Sequence, residues 1–174
     1  MTSAVWPALL SADLASITPS DFQDYFRAAF KWNVARNQAI GNELACAIAA
    51  LNGRVIVPIL LKGAAYIKER IYPKMGARIL GDLDILIEEN HLDAAVEVFV
   101  SLGYQSAGRP DFDYRHHHVE PLKHADREAY VELHREAIAQ PLTRILPAKE
   151  IIRDYQIRKE GSLTYACRDN IVSA

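Results

Sequence analysis

The run Asp82-Leu83-Asp84-Ile85-Leu86-Ile87 sets two carboxylates two residues apart inside an otherwise apolar stretch. Successive side chains of an extended strand point to opposite faces, so Asp82 and Asp84 would share one face and Leu83, Ile85 and Ile87 the other. With their roots roughly 7 Å apart, the two carboxylates can converge on one hard cation or a pair, and Mg²⁺ suits such oxygen ligands. Two like charges held together resist desolvation, and a metal or cationic ligand relieves that cost. Taken alone, Asp-x-Asp describes an exposed strand end equally well.

The elements that would position this pair can be read along the chain. Residues 19–50 read as helical: Pro19, Ser20 and Asp21 supply start signals, and Phe22, Tyr25, Phe26, Ala29 and Phe30 recur at helical spacing. Asn52-Gly53 breaks the pattern through residues that tolerate positive φ and marks the expected boundary between residues 1–52, an N-terminal helical segment, and residues 53–174, the core. The β-branched run Val55 to Leu61 reads as a buried strand, weakened centrally by Pro58, and Ala64 to Ile71 as a helix. Asn90 is placed to cap a helix striped by Leu92, Ala95, Val96, Phe99 and Leu102 and stopped by Gly103. Beyond a turn at Gly108 to Pro110, Tyr114 to Glu120 and Ala129 to His134 read as strands joined through Lys123, His124 and Asp126. Ala148 to Arg153 reads as a short helix, and Gln156 to Cys167 as a hairpin around Glu160-Gly161.

Bulk properties narrow the function classes. The chain has 174 residues, half of them apolar, with 20 Lys plus Arg against 22 Asp plus Glu. That composition describes a globular protein without the positive field that collects nucleic acid non-specifically. Cys46 and Cys167 form no CxxC pair, which fits a reducing cytoplasm. Neither a secretory signal nor an apolar run of roughly 20 residues is expected, so the protein is read as non-membrane. The motifs GxxxxGK[ST], GxGxxG and GxSxG do not occur, which leaves P-loop, dinucleotide-binding and serine-hydrolase readings without support.

The histidines offer a rival chemistry. His116, His117, His118, His124 and His134 invite a zinc reading. Consecutive histidines on a strand alternate faces, however, so only His116 and His118 would point together, and no HExxH or Cys/His spacing accompanies them. On one face beside Glu132 and His134, the residues His116, His118 and Glu120 read either as ordinary surface strand positions or as lining the aspartates' cleft for acceptor recognition or acid–base work.

Leu61-Lys62-Gly63 before a helix, Arg78 to Asp84 as Arg-x-x-x-Asp-x-Asp, and Glu132-Leu133-His134 occur in that order. This series resembles the polymerase-beta-type nucleotidyltransferase superfamily, and most closely a group of uncharacterised bacterial nucleotidyltransferases carrying those motifs. The resemblance runs from about residue 55 to 134. It implies an α/β (α+β) fold, a mixed β-sheet flanked by helices, two Mg²⁺ ions held by three acidic residues, and transfer of a nucleoside monophosphate from an NTP such as ATP to an acceptor hydroxyl. Carried over, Asp82, Asp84 and Glu132 would be the metal-binding and catalytic carboxylates, with Glu132 ligating the nucleophile-side metal or accepting the acceptor proton. Gly63 would let backbone approach phosphate at a helix N-terminus, and Lys62 and Arg78 would pair with triphosphate oxygens.

The acceptor implied is a small molecule, a protein or an RNA such as tRNA, the last because prokaryotic toxin nucleotidyltransferases share a similar motif series. Ala64 stands where the superfamily's phosphate-binding serine is common, and relatives continue into a further helical region, so a short member or a fragment is expected. The alternative from another class is a catalytically inactive module on the same fold that binds nucleotide or protein.

Overall fold

The computed structural model describes residues 2–72, 74–108, 117–139, 141–145 and 147–168. Its helices are α1 (Val5–Ser11), α2 (Ser20–Asn52), α3 (Lys62–Lys68), α4 (Leu92–Ser101) and α5 (Ala148–Asp154). Its strands are β1 (Ile59–Leu60), β2 (Asp82–Leu86), β3 (Gln105–Ser106), β4 (Leu122–Lys123), β5 (Tyr130–His134), β6 (Tyr155–Glu160) and β7 (Leu163–Arg168). The seven strands form one mixed sheet in the order β3-β4-β5-β2-β1-β7-β6. The expected α/β fold with an N-terminal helical region is therefore what the chain adopts.

The sheet separates two cores by the strand alternation read from the sequence. Leu83 and Ile85 of β2 and Val131 and Leu133 of β5 enter the larger core, where they meet Ile40, Leu44, Ile48 and Leu51 of α2 and Phe99 of α4. Burying each such aliphatic side chain contributes roughly 1.5–3 kcal/mol, so this face anchors both strands firmly. On the opposite face Leu86, Ile59 and Ala166 pack beneath Ala148 of α5. The Glu136 carboxylate pins that helix by accepting the Ala148 amide at 2.6 Å. The polar side chains of β2 and β5 lie on this same face.

Several local expectations are revised. The helix over residues 19–50 forms as α2, but Phe22 and Tyr25 are exposed while Asn33, Asn37 and Glu43 are buried. Tertiary contacts, not the apolar spacing of its first turns, select the inward face. α2 ends at Asn52 as expected, yet Gly53 keeps a φ of −61° and the positive φ falls to Val55 at 61°. The strand expected over Val55 to Leu61 contracts to Ile59–Leu60, after which Leu61 leads directly into α3. Asn90 does not cap α4: a 3-10 turn over Glu89–His91 leads in, and His91 at the N-cap makes no side-chain capping bond. Gly103 does stop α4, at a φ of +90°, where a Cβ would come within 2.9 Å of His124.

The strand expected over Tyr114 to Glu120 lies partly outside the described residues, as do His116 and most of the turn at Gly108 to Pro110. Within the described part, His118 forms an isolated bridge to His134, and Leu122–Lys123, placed in a connection by the sequence reading, pairs with β5 and β3. The C-terminal hairpin forms around Gly161 as expected.

Glu43 shows how a polar group is accommodated in the larger core. Its carboxylate accepts a short hydrogen bond from the Tyr104 hydroxyl. Burial raises its pKa above the ordinary 4.5, outweighing the lowering by Tyr104 and Arg127. The folded chain thus holds this proton more tightly than the unfolded chain, and stability falls as pH rises from the unfolded value through the folded one. Glu43→Gln removes the titration. Measured by urea unfolding at about pH 4 and about pH 7, the variant should gain on wild type as pH rises; a constant difference would contradict this account.

Candidate active site

β2 and β5 lie side by side and parallel at the centre of the sheet, in a register that sets Asp82 opposite Tyr130, Asp84 opposite Glu132, and Leu86 opposite His134. Matched positions of neighbouring strands point to the same side, so Asp82, Asp84, Glu132 and His134 share the face on which α5 packs. The sharing of faces read from strand alternation, Asp82 with Asp84 and Glu132 with His134, is met by this geometry.

Asp84, only 5% exposed, is the hub. Its Oδ1 accepts from Lys62 Nζ at 2.7 Å and from His134 Nε2 at 2.9 Å. His134 Nε2 also lies 3.6 Å from Glu132 Oε2. Burial alone would raise the Asp84 pKa, but the hydrogen bonds from His134 and Lys62 and the Lys62 charge outweigh it and hold the carboxyl below its ordinary value. Asp84 is therefore ionised at neutral pH and ready to act as an anionic ligand.

One ligand atom each from Asp84, Glu132 and His134 lies within 4.8 Å of the others, a separation one cation can bridge. Two carboxylates suit a hard divalent ion, whereas His134 is already committed to orienting Asp84, as ligand carboxylates commonly require. The donor set therefore fits Mg²⁺ with His134 as the supporting group. Asp82 stands two residues earlier on the same face, at the exposed strand end and outside that cluster.

The remaining candidates fall in three places. Lys62 contacts Asp84, from a strained backbone position at φ 42° that starts α3. Gly63 is buried against β2's approach: a Cβ there would come 2.8 Å from Leu80 Cδ2, so the glycine allows α3 to close on the strand. Arg78 does not reach Asp84; it donates to Tyr72 Oη at 2.9 Å and lies over the rings of Tyr66 and Tyr72.

Sequence reasoning missed the support for the segment that carries Arg78. Asn33 Nδ2 donates to the carbonyls of Gly76 and Arg78, Asn37 Nδ2 to those of Met75 and Arg78, and Arg36 to that of Leu80. Three polar residues spaced along α2 thus fix the chain just before Asp82. The available signal was their spacing of three and four residues in line with Ile40 and Leu44.

The histidines gather differently from the strand expectation. His117 and His118 both pack against His134, with ring centroids 5.2 Å away in each case. Alternation fails because His118 is an isolated bridge, not part of a continuous strand. His134 Nε2 donates to Asp84, and its Nδ1 has no hydrogen-bond partner among the described residues.

No helix among the described residues is long and apolar enough to cross a membrane. A family model described as an uncharacterised nucleotidyltransferase matches residues 1–172. No curated protein and no solved structure matches the chain.

Proposed function

The chain belongs to this nucleotidyltransferase family, and on that premise we propose that it transfers a nucleoside monophosphate from an NTP to an acceptor hydroxyl, with Mg²⁺ held by Asp82, Asp84 and Glu132. The observation that carries this reading is the in-register pairing of Asp84 with Glu132 on two parallel central strands, with His134 completing the cluster. Bound there, Mg²⁺ would neutralise phosphate charge and the charge on the attacking and leaving oxygens.

The protein's own residues supply orientation. His134 fixes the Asp84 carboxylate, and the buried Leu83 and Ile85 hold β2 in place beneath it. Glu132, beside Asp84, completes the anionic set or receives the proton of the acceptor hydroxyl. Lys62, exposed and on a flexible stem, can exchange Asp84 for a triphosphate oxygen. Gly63 keeps the turn that presents Lys62, and Arg78 offers a planar guanidinium nearby. Small molecules, proteins and RNA remain the candidate acceptor classes.

The Lys62–Asp84 pair at 2.7 Å favours one second reading, a nucleotide- or protein-binding module in which lysine permanently replaces the metal. Calorimetric titration of an NTP panel with and without Mg²⁺ separates the two. Nucleotidyl transfer requires Mg²⁺-dependent binding of at least one NTP; binding indifferent to Mg²⁺ favours the module, and failure of every NTP to bind removes the transfer reading.

A further inference from the structure

A cavity of about 390 Å³ lies between α2, α3 and the loop leading to β2, with Asn37, Tyr66, Ile67, Tyr72, Met75 and Leu80 in its wall. That volume falls in the range of small-molecule sites, roughly 300–1,000 Å³. Its chemistry is specific. The rings of Tyr66 and Tyr72 meet edge to face with centroids 5.6 Å apart. The Arg78 guanidinium lies 5.7 Å from the centre of one ring and 5.8 Å from the other. Arg70 places a cation in the wall itself. Aromatic faces beside guanidinium groups form a surface on which a flat heteroaromatic ring stacks.

Asn37 adds a polar requirement. It is 1% exposed, and its Nδ2 donates to the carbonyls of Met75 at 2.6 Å and Arg78 at 2.7 Å, which leaves Oδ1 without a donor. Buried and without a donor, Oδ1 accepts from a ligand N–H only when the side chain turns it toward the cavity.

The cavity adjoins α3, whose first residue reaches the carboxylate site. Lys62 opens that helix, and Tyr66 follows about one turn later. Lys62 touches Asp84, and Leu80 of the cavity wall lies two residues before Asp82, against Gly63. We propose that this cavity is the nucleobase subsite for the NTP. The base stacks on the face of one of the two perpendicular rings, Tyr66 or Tyr72, and packs against the edge of the other, with an amino edge toward Asn37, and the triphosphate extends along α3 to Lys62 and Asp84. The phosphate end of this placement rests on the nucleotidyltransferase reading; the base end rests on the cavity.

Three probes separate those ends: ATP with Mg²⁺, inorganic tripolyphosphate with Mg²⁺, and adenosine without metal. Wild type should bind ATP at least about tenfold more tightly than tripolyphosphate, the scale expected for one stacked base. Tyr66→Ala and Tyr72→Ala should each lose about tenfold in ATP affinity and none in tripolyphosphate affinity, whereas Tyr66→Phe should keep both. Adenosine should shift the ring resonances of Tyr66 and Tyr72 in wild-type protein, a readout that does not depend on any variant folding. Adenosine that leaves those resonances unmoved, or ATP affinity unchanged in both well-folded alanine variants, overturns the subsite. Adenosine binding without binding of either Mg²⁺ triphosphate leaves a nucleoside pocket and sinks both the NTP subsite and the transfer reading, whereas equal binding of ATP and tripolyphosphate sinks the subsite alone.

Discussion

Asp84→Asn is expected to lower nucleotidyl transfer about a thousandfold while the fold is retained, a loss of about 4 kcal/mol in transition-state stabilisation. The substitution removes charge at nearly constant volume. An asparagine Oδ1 can still accept from Lys62 Nζ and His134 Nε2, so the contacts that position the residue survive while its capacity as an anionic ligand does not. The measurement is the label passed from an α-labelled NTP to acceptors in a cell extract, with circular dichroism and urea unfolding as checks on the fold. Transfer at the wild-type rate in a folded Asp84→Asn protein would rule out the proposed metal site.

The same substitution has a pH signature. Because the folded Asp84 carboxyl sits below its ordinary value of 3.8, the stability its ionised form contributes is present above that value and is lost as pH falls through the folded pKa. The stability gap between wild type and Asp84→Asn should therefore narrow in strong acid and stay constant through neutral pH.

How much of this arrangement is legible in the sequence depends on the range of the forces involved. The Asp82-Leu83-Asp84 alternation is local: strand geometry alone sends Leu83 and the aspartates to opposite faces, and the structure agrees. Glu132 and His134 are readable on β5 for the same reason, but their meeting with Asp84 depends on the β2–β5 register, a pairing across about fifty residues that no local pattern encodes. The Asn33, Arg36 and Asn37 contacts are also hidden, since buried asparagines on a helix look like surface residues until the carbonyls they satisfy are in place. Val55 to Leu61 misleads for the opposite reason. Its β-branched residues favour a strand, but Val55 takes a φ of 61°, and the backbone pairing with β2 and β7 is made by residues 58–61 at the end of the run. Arg78 opens the Arg-x-x-x-Asp-x-Asp series read from the sequence, yet it lies against Tyr66 and Tyr72, a position that spacing alone could not supply.

Leu83→Ala should be the most costly change on the buried side of the site, destabilising the protein by about 3 kcal/mol. Leu83 is fully buried between the two aspartates and points into the larger core with Leu44, Ile48 and Leu133. Truncation removes its transfer free energy and leaves a cavity that the sheet cannot readily close, because β2 is hydrogen-bonded to β5 on one side and β1 on the other. Those same ladders should keep the backbone, and with it the carboxylates, in register. In urea unfolding the midpoint should fall with the slope unchanged, while Mg²⁺-dependent NTP binding per folded molecule stays within a few-fold of wild type. Ile157→Ala on the edge strand β6, where the side chain is 64% exposed, should shift stability by no more than about 0.5 kcal/mol. Equal losses in the two variants would mean that the face of β2 behind the aspartates is not the packed face. A large stability loss in Leu83→Ala with binding retained would instead separate the strand's two tasks, one face holding the fold and the other holding the charge.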